Sequence, residues 1–133
     1  MDAAAVPLEA QGEVRVLVVD DQEPYRCAMQ AVVEATAGFV VVGSASSGEE
    51  SVAMADELRP ELVLMDVNLP GIDGIEATRR ILAHDTDTVV ILLSTYDRED
   101  VDLAGAGASD YVPKADLGPG RLLEVWTSAR ADG

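Results

Sequence analysis

Residues 62–74 read LVLMDVNLPGIDG. An apolar run ends on a carboxylate, Asp66, and a loop with one proline and two glycines follows at once. Aspartate is a poor strand former and is costly to bury unpaired. A buried strand tipped by Asp66 therefore ends where water reaches it, or where some chemistry needs the carboxylate.

Working outward, ELVLMDV (61–67) is the third of five apolar stretches. VRVLVVDD (14–21), FVVVGSA (39–45), TVVILLS (88–94) and SDYVPK (109–114) are the others. Their near-continuous β-branched and aliphatic content predicts strands buried on both faces. Amphipathic runs lie between them. PYRCAMQAVVEAT (24–36) opens on Pro24, suited to a first helical position, with Tyr25, Ala28, Met29, Val32 and Val33 at helical spacing. SGEESVAMADELRP (47–60) begins with a capping box, Ser47 with Glu50, and stops at Pro60. GIEATRRILAH (74–84) carries Ile75, Ile81 and Leu82 on one face, and Asp73 just before it is a helix cap. REDVDLAGAGA (98–108) is a weak helix, because Gly105 and Gly107 each cost about 1 kcal/mol in a helix interior. GRLLEVWTSARA (120–131) puts Leu122, Val125, Trp126 and Ala129 on one stripe.

Strands alternating with helices imply an α/β domain with a five-stranded parallel sheet and helices on both faces. In such sheets ligands bind beyond the carboxyl ends of the strands, where the strand order reverses. The chain of 133 residues suits one domain, expected over 13–131 behind a disordered tail at 1–12. A net charge of −16 repels phosphate backbones and anionic membrane surfaces, so direct nucleic-acid or membrane binding is not expected. One cysteine, Cys27, permits no internal disulfide. The N-terminus lacks a signal-peptide pattern and no apolar stretch approaches ~20 residues, so a cytoplasmic location is expected.

The strand ends carry polar groups: Asp20 and Asp21, Asp66, Ser94 and Thr95, and Lys114. A parallel sheet brings all of them to one edge. Three carboxylates together repel unless a cation intervenes, and oxygen ligands without cysteine or histidine favour Mg²⁺ over zinc. A carboxylate beside Mg²⁺ is a nucleophile for a phosphoryl group, and a hydroxyl and an ammonium would stabilise the charge that builds there. Lys114 is the only lysine in the chain; the other eight basic residues are arginine.

VLVVDDQEPYR, LVLMDVNLPGIDGIEATRRI, LLSTYD and GASDYVPK together resemble the receiver domain of bacterial two-component response regulators, of the NarL/FixJ type. The resemblance covers about residues 14–130. It implies a flavodoxin-like fold with strand order 2-1-3-4-5. It implies phosphoryl transfer to Asp66 from a sensor histidine kinase or a small phosphodonor. Mg²⁺ would be held by Asp21, Asp66 and the backbone carbonyl of Asn68, with Asp20 acting mostly through water. Ser94 would hydrogen-bond the phosphoryl group and Lys114 would pair with it. Tyr111 would be a rotating aromatic coupled to Ser94, reshaping a face read by a downstream protein. The chain would be a switch and no enzyme beyond its own phosphorylation and dephosphorylation. Some members of this type pair as homodimers on phosphorylation.

Three departures stand out. Lys114 is followed by Ala115 where many receivers have a cis proline, and a cis bond there would cost about 3–4 kcal/mol, so a trans bond is expected. The stretch between STYD and GASDYV is about two residues short against the family pattern, so the helix over 98–108 is expected to be short or displaced. The chain ends at Gly133 with no helix-turn-helix output domain, the expectation being a stand-alone or a truncated receiver.

Other readings have their own signatures. A haloacid-dehalogenase-like aspartyl-phosphate phosphatase places a D-x-D motif after its first strand, where this chain has Asp20-Asp21. A pseudo-receiver keeps the fold as a constitutive interaction module; the complete set of Asp20, Asp21, Asp66, Ser94 and Lys114 argues against it. Flavin binding suffers from three carboxylates facing a phosphate. Thr95 is an alternative to Ser94. His84 reads as a favourable helix-end residue and Cys27 as an unremarkable thiol.

Overall fold

The computed structural model describes residues 13–95 and 107–132. The sheet contains β1 (Val14–Val19), β2 (Phe39–Ala45), β3 (Leu62–Asp66), β4 (Val89–Ser94) and β5 (Asp110–Pro113). The helices described are α1 (Glu23–Glu34), α2 (Gly48–Leu58), α3 (Gly74–His84) and α4 (Pro119–Asp132), with a 3₁₀ turn at Lys114–Asp116. All four strand pairings are parallel and the order is β2-β1-β3-β4-β5. This is the flavodoxin-like architecture expected from the alternation and the resemblance.

The central strands β1, β3 and β4 are apolar and buried over most of their length because both faces are covered. On one face, Val16 and Val18 of β1, Leu64 of β3 and Ile91 and Leu93 of β4 pack with Met29 and Val33 of α1 and Leu122 and Val125 of α4. On the other, Leu17, Val19, Met65 and Leu92 pack with Ala55 of α2 and Ala77 and Ile81 of α3. Each fully buried aliphatic side chain contributes about 1.5–3 kcal/mol. A one-residue slip in any strand would exchange its two faces, so packing holds the register that aligns the strand ends.

That register places the polar tips side by side. Val19 pairs with Met65, so Asp20 and Asp66 follow on adjacent strands. Asp66 pairs with Leu93, one residue before Ser94. Ser94 pairs with Pro113, one residue before Lys114. β1 has β2 on one side and β3 on the other, so the strand order reverses at the β1 edge where Asp20 stands.

Several local expectations are adjusted. Ser47 caps α2 by accepting from Glu50 N at 3.0 Å, but the Glu50 carboxylate accepts from Ser46 N at 2.7 Å, so the reciprocal box shifts back by one residue. Arg59, with φ 52°, ends α2 in the left-handed region before Pro60. Strand β5 stops at Pro113 and Lys114 begins the 3₁₀ turn. Tyr25, read as one of the apolar face of α1, is 37% exposed, whereas Met29 and Val33 are buried. Among the described residues no peptide bond is cis, in keeping with a trans Lys114–Ala115. The expected tail at 1–12 and most of the expected helix over 98–108 lie outside the described residues. Among the described residues no helix is long and apolar enough to cross a membrane.

Candidate functional site

Asp20 is fully buried at the end of β1. Its main chain is tied on both sides: the amide donates to Ala45 O at 3.1 Å, and the carbonyl accepts from Arg26 Nη1 at 2.9 Å. Its Oδ1 accepts from Gln22 N at 2.9 Å. Its Oδ2 lies 2.6 Å from Lys114 Nζ and, among the described residues, meets no other hydrogen-bond donor. A buried carboxylate oxygen held by a cation marks a place where positive charge is required.

Asp66 closes β3 and is 3% exposed. Its Oδ1 accepts from Asn68 N at 3.2 Å and its Oδ2 lies 3.5 Å from Lys114 Nζ. Burial, and then the charge of Asp20, push its carboxyl up to about 6. Lys114 and the Asn68 amide pull it the other way without cancelling the rise. Lys114, 9% exposed, bridges the two carboxylates.

The loop after Asp66 is held by α3. Gly74 N donates to Val67 O at 2.9 Å, and Asp73 caps the helix by accepting from Glu76 N at 2.8 Å. A Cβ at Gly74 would stand 2.1 Å from Asp66 O and 2.8 Å from Val67 Cα. Glycine is therefore required for the helix start to reach the strand end.

Asp21 is exposed, yet one oxygen from each of Asp20, Asp21 and Asp66 lies within 4.8 Å of the others. An all-oxygen set of this kind fits a hard divalent cation. A cleft of about 440 Å³ lined by Asp21, Gln22, Tyr25, Asp66, Asn68, Thr95 and Lys114 opens above them. The Asn68 side-chain amide donates to Ser94 Oγ at 3.3 Å. Ser94 is 4% exposed, while its neighbour Thr95 stands on the cleft wall. Tyr111 is 5% exposed, pairs with Leu92 across β4–β5, and packs in the layer under α2 and α3. Strand alternation turns Ser94, two residues after Leu92, to that same side.

Asp20, Asp21, Asp66, Asn68, Ser94 and Lys114 are thus brought to one edge, with Tyr111 behind it in the core. Sequence reading missed the roles of Arg26, which holds the Asp20 carbonyl, and Tyr25, whose ring centroid lies 4.0 Å from Lys114 Nζ. The sequence signal for both was their place in the first turn of a helix that starts one residue after Asp20-Asp21.

Residues 16–126 match the model of the response regulator receiver domain. The chain belongs to this family. Response regulator GacA of Pseudomonas viridiflava is 43% identical over 103 residues, covering 76% of this chain and 48% of that protein. A protein-glutamate methylesterase/protein-glutamine glutaminase of Alkalilimnicola ehrlichii is 42% identical over 105 residues, covering 77% of this chain and 27% of that protein. The receiver thus spans half or less of the length of these curated relatives. Among solved structures, a LuxR-family two-component response regulator from Aurantimonas sp. superposes with TM-score 0.79 at 30% identity, covering 90% of this chain and 86% of that one. The response regulator domain of Thermotoga maritima CheB gives TM-score 0.78 at 28% identity, with 89% and 97% covered. The receiver is a module of two-component signalling, and its acidic pocket is the site described above.

Proposed function

We propose that this receiver is a phosphorylation-controlled switch with Asp66 as its phospho-acceptor. The observation that carries the reading is the Lys114 ammonium shared between the buried carboxylates of Asp20 and Asp66, beside the exposed carboxylate of Asp21. A carboxylate meant only for structure has no need of two like neighbours at an open cleft.

An oxygen of Asp66 attacks the phosphorus of a phosphohistidine on a sensor histidine kinase, or of a small acyl phosphate. The bond from phosphorus to the leaving imidazole nitrogen or acyl oxygen breaks, and the leaving group keeps the electron pair. Ser94 donates its hydroxyl, and Lys114 its ammonium, to the phosphoryl oxygens as charge builds on them. Hydrolysis reverses the modification: water attacks phosphorus, the bond to Asp66 breaks with its electrons returning to the carboxylate, and the phosphate takes the water's protons. Asp20, Asp21, Asp66 and the Asn68 carbonyl would hold Mg²⁺. Once bound it neutralises the carboxylates and the phosphoryl charge.

Phosphorylation biases a two-state element through Ser94 and Tyr111, and a downstream protein or a second copy of the chain reads the altered face. The acidic surface fits a protein reader better than nucleic acid. A cytoplasmic location agrees with an exposed, unpaired Cys27.

Intact mass after incubation with acetyl phosphate tests the reading, with and without Mg²⁺ and with Asp66→Asn alongside. The expected result is a Mg²⁺-dependent phosphoryl adduct that the variant lacks. An intact fold with no adduct from this donor or from a histidine kinase would overturn it in favour of a pseudo-receiver.

A further inference from the structure

Among the described residues the Lys114 ammonium meets Asp20 Oδ2 at 2.6 Å, Asp66 Oδ2 at 3.5 Å, and the face of the Tyr25 ring, its centroid 4.0 Å away. A lysine ammonium is compact, strongly hydrated and carried on a flexible stem. An aromatic face attracts it and replaces water on that side. Behind the ring, Ala28, Met29, Val32 and Leu117 line a cavity of about 40 Å³ that also touches Tyr25 and Lys114, so the stem lies along an apolar wall. The ring is placed by local sequence: Pro24 sits in the first turn of α1, and Arg26, the next residue after Tyr25, is anchored on the Asp20 carbonyl. Tyr25 also lines the cleft beside Asp66.

We propose that Tyr25 is a positioning residue for phosphoryl transfer at Asp66, acting through the Lys114 ammonium. This rests on the reading of Asp66 as the acceptor. The two carboxylates pull the ammonium sideways, and the ring limits how far it swings. When charge builds on a phosphoryl group at Asp66, the ammonium is already in place and partly stripped of water. Phosphorylation and hydrolysis both pass through that charged phosphoryl group. A defect in positioning Lys114 therefore slows both steps together. A ring that merely kept water out would do the opposite to hydrolysis, which would speed up on its removal.

The test compares wild type, Tyr25→Phe and Tyr25→Leu in the full chain, with Mg²⁺ and acetyl phosphate. Tyr25→Leu is expected to slow both phosphorylation and loss of the phosphoryl group by about threefold to tenfold, the range for a half-exposed cation–ring contact. Tyr25→Phe, which keeps the ring face, is expected to retain wild-type rates. In a Lys114→Gln background, adding Tyr25→Leu is expected to have no further effect, as residues acting through one contact are non-additive. Because Lys114 is the only lysine, lysine-selective isotope labelling yields one side-chain signal. Without any phosphodonor, that signal is expected to lose its ring-current shift in Tyr25→Leu and keep it in Tyr25→Phe. Equal rates for wild type and Tyr25→Leu, faster hydrolysis in Tyr25→Leu, or an undiminished effect in the Lys114→Gln background would each overturn the proposal. So would an unchanged lysine signal, whatever the phosphorylation result. If wild type takes no phosphoryl group while the lysine signal shifts as expected, the acceptor reading fails and the positioning role falls with it.

Discussion

Lys114 is bound more closely to Asp20 than to Asp66: its ammonium lies 2.6 Å from the first carboxylate and 3.5 Å from the second. The cation that Asp20 needs in the metal-free protein is therefore supplied by the same side chain that would later meet a phosphoryl group. A divalent cation held by Asp20, Asp21 and Asp66 would share these carboxylate oxygens with Lys114 and neutralise their charge.

Mg²⁺ is expected to raise the thermal midpoint, because the cluster of three carboxylates that would hold it exists only in the folded chain; a hundredfold excess over the dissociation constant would add about 2.7 kcal/mol. Asp21→Ala isolates this effect. Asp21 is exposed, so its loss costs the metal-free fold within about 0.5 kcal/mol. The Mg²⁺-dependent rise should shrink sharply in the variant, as read by thermal unfolding across a Mg²⁺ titration.

Lys114→Met keeps the length of the stem and removes the charge. It leaves Asp20 Oδ2 buried with no cation, at an expected cost of about 3 kcal/mol in chelator-containing buffer at neutral pH. Asp20→Asn on top of Lys114→Met should recover part of that loss. Urea unfolding of the two variants checks both statements.

Asp66 sets a pH dependence. Its carboxyl ordinarily titrates near 3.8 and is raised to about 6 in the folded chain. The folded state thus holds this proton more tightly than the unfolded state does. The stability linked to it is fully present below about pH 4 and is lost as pH rises through about 6. Asp66→Asn should remove that decline and stabilise the Mg²⁺-free protein at pH 8 by roughly 1–2 kcal/mol, allowing for screening at the open cleft. Denaturant unfolding from pH 4 to 8 measures it.

Gly74→Ala forces a methyl group into the Asp66 carbonyl, 2.1 Å away in the present backbone. Backbone on both sides leaves no side chain to give way, so α3 must back off from the end of β3. A loss of about 2 kcal/mol or more is expected, with slower phosphorylation because the Asp66 loop moves. Gly118→Ala, with open space around it, serves as the control.

Much of this molecule was legible in the chain itself. Continuous apolar runs such as VLVV and LVLM specify strands that can exist only with cover on both faces, and alternation with helices leaves a parallel sheet as the economical arrangement. In a parallel sheet every strand presents its carboxyl end to one edge, so Asp20, Asp66, Ser94 and Lys114 share that edge, and the strand order β2-β1-β3-β4-β5 makes their strands successive neighbours. Spacing along one chain carries no information about distances between those tips. Which carboxylate takes the ammonium, why Thr95 faces the cleft while Ser94 is buried, and how Gly74 touches the back of Asp66 follow from strand register and from where α1 and α3 dock. Tyr25 shows the difference most plainly. Its helical spacing assigned it to the apolar stripe of α1, but Tyr25 is 37% exposed and lines the cleft beside Asp66. There the ring meets the Lys114 ammonium, brought to it from across the fold by β5.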